Sequence, residues 1–151
     1  MSSSYVRTEI KSFMATTFPG ETLIDLTAEF ENIRDFLAHN GITGRDAWLG
    51  LQFIGSDEQP INVGAGNTQG LYRETGSLFF HIVEPAVKST AANNIVSRSE
   101  TLRSGLRGMR INDIVIESVT PVTTQSGSTL EFESGFTSGS FIVSYYRDLN
   151  L

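Results

Sequence analysis

The chain has no cysteine. A disulfide framework, a thiol nucleophile and a cysteine-held metal are thereby excluded, and stability has to come from packing. Histidine is nearly as scarce: His39 and His81 are the only two, and they lack the close spacing by which histidines hold zinc. His39 reads as a helix-end residue, where the dipole favours partial positive charge, and His81 as a structural residue inside an apolar strand. No metal or other cofactor is implied. Long hydrophobic runs are also missing. The longest, such as "SLFFHIV", fall far short of the roughly 18 residues of a membrane span. The opening "MSSSYVRTEI" lacks the basic start and apolar stretch of a secretory signal, so the expectation is a soluble protein made in the cytoplasm. Positive charge is in deficit, with 11 lysines and arginines against 17 acids and a net charge of −6. Such a balance argues against a sequence-independent grip on nucleic acid, which needs many basic groups opposite phosphates.

What is present suits a single domain over residues 1–151, which on folding hides roughly 70% of the surface its unfolded chain exposes. Val6, Ile10, Phe13, Met14 and Thr17 recur at helical spacing behind serines that can cap a helix, and Pro19-Gly20 stops it. After a short "TLID", Leu26, Phe30, Ile33 and Leu37 form a second helical stripe that "HNG" closes, with Gly41 in the left-handed C-terminal position. "AWLGLQFIG" alternates as a strand, followed by a turn at "SDEQP" and a short strand "INV". "LYRETGSLFFHIVEP" is apolar on both faces around Leu78, Phe79, Phe80, His81 and Ile82, which predicts a central strand. Ala91, Ile95, Leu102 and Leu106 mark a third helix behind Ser89 or Thr90, ended by Gly108. "INDIVIESV" and "FIVSYYRD" are the last strands, separated by the serine- and glycine-rich "TTQSGSTLEFESGFTSGS", read as a protruding hairpin arm. The predicted class is α+β: one mixed or antiparallel sheet flanked by two to three helices.

The candidate chemistry is sparse. "VGAGNTQGLY" places Gly64, Gly66, Asn67 and Gly70 where a nucleotide loop belongs, but the spacing is G-x-G-x-x-x-G, there is no Lys-Ser or Lys-Thr, and a strand follows instead of a helix N-terminus. The loop therefore reads as a surface or interface loop. No G-x-S-x-G supports a nucleophilic serine. Glu131 and Glu133 can share a strand face at roughly 7 Å, a separation compatible with paired-carboxylate hydrolysis, but nothing predicts the pocket that would split their acidities. A solvated or partner-facing acidic strand is the simpler reading. Charge is unevenly spread: four arginines from Arg98 to Arg110 against Glu100 give +3, and five acids from Glu21 to Asp35 against Arg34 give −4. Arg103, Arg107 and Arg110, at i, i+4 and i+7, read either as a solvated face or as a stripe docking on an acidic surface such as Glu29, Glu31 and Asp35. Arg73-Glu74 is either an ordinary surface pair or an inter-subunit contact.

Trp48 in "WLGLQFIG", then "QPINVG", then Arg73, Gly76 and Pro85 in "YRETGSLFFHIVEP", a small-residue helix, and a last strand bearing Tyr145 and Tyr146 together resemble the tail terminator, or tail completion, proteins of long-tailed bacteriophages. The resemblance covers most of the chain in element order. The segment from Leu26 to His39 is longer than the brief connection it leads one to expect there. It implies a structural, non-enzymatic function: a homohexameric ring in the virion that caps the tail tube, ends its polymerisation and offers the surface on which the head's neck docks. The implied partners are further copies of the chain, the tail tube protein and a neck or head-completion protein, with DNA passing through the lumen unbound and no membrane involved. An acidic composition suits such a lumen. On this reading Arg103, Arg107, Arg110, Glu29, Glu31, Asp35, Arg73 and Glu74 are candidate subunit contacts. Gly64, Gly66, Asn67, Gly70, Glu131 and Glu133 are candidate contacts to tube or neck. The alternatives are a neck or head-completion connector protein, separable by co-sedimentation with tail tubes, and a small ligand-binding domain or enzyme, which would show a deep polar pocket and a monomeric mass.

Overall fold

A computed structural model of the chain describes residues 3–27, 38–39, 41–42, 46–61, 71–86, 89–123 and 136–150. Helix α1, Ser4–Thr17, forms where expected. Ser3 accepts the Val6 N–H on its side chain, Val6, Ile10 and Met14 make the buried stripe, and the Phe18 N–H closes the last turn on Met14 just before Pro19. "TLID" is not a connector but contains strand β1, Leu23–Asp25. Three residues are too few to show alternation. The strand exists because it pairs in parallel with the start of β2, Trp48–Pro60, Leu23 opposite Leu49 and Asp25 opposite Leu51. Arg7 and Lys11 of α1 both reach the Asp25 carboxylate at 3.1 Å. Of the second predicted helix, residues 28–37 lie outside the described residues. Its expected close is visible: Ala38 and His39 are helical, Gly41 donates to the Ala38 carbonyl at 3.0 Å, and its φ is 77°.

The turn expected at "SDEQP" is absent. Strand β2 runs through it to Pro60 and absorbs one irregularity of register between Phe53 and Ser56. The polar residues there are tolerated because this stretch is exposed: Asp57, Glu58, Gln59 and Pro60 line an outer portion of the sheet, where charge and proline discourage further pairing. Of "INV" only Ile61 is described; it donates to Leu71 at 3.2 Å at the start of β3, Leu71–Pro85. Helix α2, Ala91–Leu106, follows, and Gly108 at φ 69° turns the chain out of it. The expected single strand "INDIVIESV" is two: β4, Arg110–Ile111, and β5, Ile114–Val119, folded on each other about Asn112 at φ 55°. Asparagine is among the few residues that visit that region readily. Strand β6, Phe136–Asn150, completes the chain.

The sheet order is β1-β2-β3-β6-β5-β4, with β1 parallel to its neighbour and every other pair antiparallel. Strand β3 is central, as its two apolar faces predict. Alternation sends Leu78, Phe80 and Ile82 of β3 to the same side as Leu49, Leu51 and Phe53 of β2 and Phe141, Val143 and Tyr145 of β6. The stripes of α1 and α2 close over these residues to form the main core. A smaller cluster of Ile24, Leu26, Ile42, Trp48 and Val83 caps one end of the opposite face. The predicted arm lies outside the described residues; its roots are joined by an antiparallel pair, Thr123 with Ser140.

Candidate interaction surface

The charged residues divide into those spent inside the subunit and those left outside. Arg98 on α2 is the strongest internal case. Its guanidinium engages the Glu21 carboxylate through Nε and a second nitrogen, Glu84 at 3.1 Å, and the carbonyls of Val83 and Trp48, each at 3.2 Å. Glu84 is buried, so Arg98 supplies the charge that makes its burial tolerable. Arg98 and Glu21 come from the two segments of opposite net charge. Part of that complementarity is therefore consumed between α2 and the chain after α1, within one subunit.

Arg73 and Glu74 are adjacent in sequence but point to opposite faces, so they do not pair with each other. Glu74 is 1% exposed on the helix-covered side and accepts from Arg147 at 2.8 Å and from the Ser3 hydroxyl at 3.2 Å. A residue so enclosed is not available as a subunit contact. Arg73 is on the other side, where it grips Asp148 of β6 with two bonds of 2.7 and 3.1 Å and lies 4.2 Å from the centre of the Tyr146 ring. The Arg73 guanidinium holds the Asp148 carboxyl below its ordinary range. Arg103, Arg107 and Arg110 are not one helical stripe. Only Arg103 is within α2; Arg107 is its extended C-cap, and Arg110 is on β4 with its Nε bonded to the Asn112 carbonyl at 3.0 Å. Arg107 and Arg110 are exposed, whereas the Arg103 Nε is buried without a hydrogen-bond partner among the described residues. Glu29, Glu31, Asp35, Gly64, Gly66, Asn67, Gly70, Glu131 and Glu133 lie outside the described residues.

Two of the residues in the terminator-like pattern meet directly. Gly76 on β3 faces Tyr145 on β6, and a Cβ at Gly76 would fall 2.4 Å from the Tyr145 hydroxyl, so the glycine is required for the tyrosine to bury its ring. Trp48 is fully buried on the opposite face, its ring meeting Phe136 edge-on at 6.4 Å.

The face of the sheet turned away from α1 and α2 is left partly open by the described residues. Its buried end holds a polar trio that sequence inspection missed, because only the strand register brings it together. His81 Nε2 lies 3.0 Å from the Gln52 Oε1 and Nδ1 2.8 Å from the Ser140 Oγ. Since the Gln52 oxygen only accepts, Nε2 carries the proton and Nδ1 accepts from the serine hydroxyl. Burial pushes the His81 pKa down to about 4, so the ring is neutral at pH 7. A serine beside a histidine invites comparison with a hydrolase, but the parts are wrong for acyl transfer. Ser140 is 2% exposed, an amide stands where a carboxylate would orient the ring, and the Ser140 N–H and carbonyl are both taken up by Thr123. Next to the trio the face becomes apolar. Phe79 and Ile142, directly opposite each other on β3 and β6, are half-buried and floor a groove of about 500 Å³ walled by Thr120, Pro121 and Thr123. Beyond it come Ser77, Ser144, Thr75, Tyr146, Arg73 and Asp148, a row of half-buried or exposed polar and aromatic residues.

No metal-binding cluster of histidine, cysteine or acidic residues occurs among the described residues. Nor is any described helix long and apolar enough to cross a membrane. No family model matches the sequence, and no curated protein does. A solved structure of a protein whose name states no function covers 100% of this chain and 99% of its own length, at 12% identity and a TM-score of 0.55. At that identity the likeness is one of fold alone.

Proposed function

We propose that the protein is a structural ring-forming component of a phage virion, of the tail-terminator kind: copies join head-to-tail, cap the tail tube and present a surface to the neck. The observation that supports this reading most is the coupling of the pattern residues themselves. Gly76 admits Tyr145, and Arg73 clasps Asp148 over Tyr146, where the two longest strands pair beside an open face. A sheet with one solvent-facing side leaves surface for a closed ring of like subunits, in which each subunit offers two different patches across the closing rotation. The net charge of −6 suits a lumen through which DNA slides without being held. In this reading the partners are the tube below and the neck above, no cofactor takes part, and no reaction is catalysed.

The test is electron microscopy and mass measurement of the purified protein, alone and mixed with tail tubes. The expected result is a ring-sized assembly bound at one end of each tube. A monomeric mass with no association to tubes would overturn the reading.

A further inference from the structure

We infer that the two margins of the sheet bind each other between copies of this chain, the Arg110 margin of one copy against the Asp57 margin of the next. The inference rests on the reading that copies assemble head-to-tail. Strand register carries it. Asp57 pairs with Thr75, Thr75 with Tyr146, Tyr146 with Val115 and Val115 with Arg110, so an acid and an arginine stand at opposite ends of one row across five strands. Cross-strand partners share a face, which puts both side chains on the side turned away from α1 and α2. Four strand spacings separate them by about 19 Å, too far for an ion pair within the subunit.

Among the described residues β1 covers β2 only at Leu49 to Leu51, which leaves Asp57 to Pro60 at one margin, and β4 is outermost at the other. Asp57 and Arg110 are exposed, and neither forms an ion pair among the described residues. Asp57 accepts from the Gln59 amide, Arg110 gives its Nε to the Asn112 carbonyl, and Asp148 on β6 is already held by Arg73. Glu58 beside Asp57, and Arg107 near Arg110, are exposed and add charge of the same sign to each margin. Three of the five large apolar side chains that the described residues leave exposed are here too, Ile54 and Ile61 on the acidic margin and Met109 on the basic one. These supply apolar area, and the charges decide which margins can touch. Two acidic margins repel, as do two basic ones, so a twofold joining of like margins is disfavoured and an acidic margin takes a basic one. That contact is heterologous, the kind that closes a ring. Strands β2 and β4 run in the same direction, so the next copy joins without reversal. Pro60 lacks an N–H and β4 has only two residues, so the junction rests on side chains rather than on a shared ladder.

Charge exchange tests this. Arg110→Glu makes both ends of the row acidic, and Asp57→Lys makes both basic. At low salt each variant alone should need about tenfold more protein than the wild type to assemble, read by solution mass over a dilution series. An equimolar mixture of the two should assemble at the wild-type concentration, because each altered end then meets an opposite one, and that recovery also shows both variants to be folded. Arg110→Gln and Asp57→Asn, which remove a charge without reversing it, should each give a smaller loss in the same direction and serve where a reversal unfolds the chain. If neither kind of variant weakens assembly, or if the mixture of folded variants stays as weak as its components, the inference is wrong, and a ring-sized wild-type mass leaves the ring reading standing. If the wild type itself is monomeric, both fall together.

Discussion

The two faces of the sheet are built from alternating residues of the same strands, yet they are finished differently. On one side Phe80 and Phe141 stack at 5.1 Å beneath α1 and α2 and are sealed from water. On the other, one residue along each strand, Phe79 and Ile142 form an equivalent cross-strand pair that no described helix covers. The covered face holds the main core, and the cluster around Trp48 buries one end of the other. Phe79 and Ile142 keep apolar area on the open face that the described residues leave uncovered, and under the proposed function that area serves assembly.

Truncation on the two sides should therefore have different consequences. Phe80→Ala should destabilise the subunit by about 3–5 kcal/mol through lost burial and a cavity. Phe79→Ala should cost the isolated subunit much less and instead weaken self-association, read by urea unfolding beside a dilution series followed by mass. Equal losses of stability at both positions would erase the distinction. Arg98→Met belongs with the large effects, because it strands the buried Glu84 carboxylate. A loss of about 3–5 kcal/mol in urea unfolding is expected, and Glu84→Gln in the same chain should recover part of it.

The closed end of the open face gives an acid-sensitive signal. His81 titrates near 4 when folded and near 6.5 when unfolded. Between those values the unfolded chain binds a proton that the folded one refuses. Stability therefore falls as pH drops through that window and levels off below it, a total of about 3 kcal/mol from this group. His81→Gln should flatten the dependence between pH 6.5 and 4; an unchanged slope would show that other groups dominate. The smallest effect is expected at the exposed rim. Asp148→Asn breaks the clasp with Arg73 where solvent screens it, and the unfolding midpoint should move little. A large drop there would make the rim part of the fold's own support.

How much of this was readable beforehand follows from what periodicity can carry. Helices α1 and α2 and the centre of β3 were legible because each buries a stripe or two full faces. Strand β1 was not, since its three residues are strand only by virtue of Leu49 to Leu51 beside them. The run of β2 through "SDEQP" was hidden because exposed outer-strand residues look like a turn. Asn112 split one apparent strand into two by a single positive φ. At the site, summed charge suggested contacts between subunits, whereas Arg98 with Glu21 and Arg147 with Glu74 are paired within one. Only register places an arginine beside its acid. The Gln52–His81–Ser140 trio and the Phe79–Ile142 floor likewise have no local signature, because their members come from strands distant in sequence.

The central claim, that the open face is an assembly surface, is tested most directly by the solution mass of the wild-type chain against Ile142→Asp at matched concentration. The account predicts a ring-sized mass for the wild type and a monomer for the variant, with helix and sheet content preserved in both. A monomeric wild type, or a variant that assembles as tightly as the wild type, would contradict it.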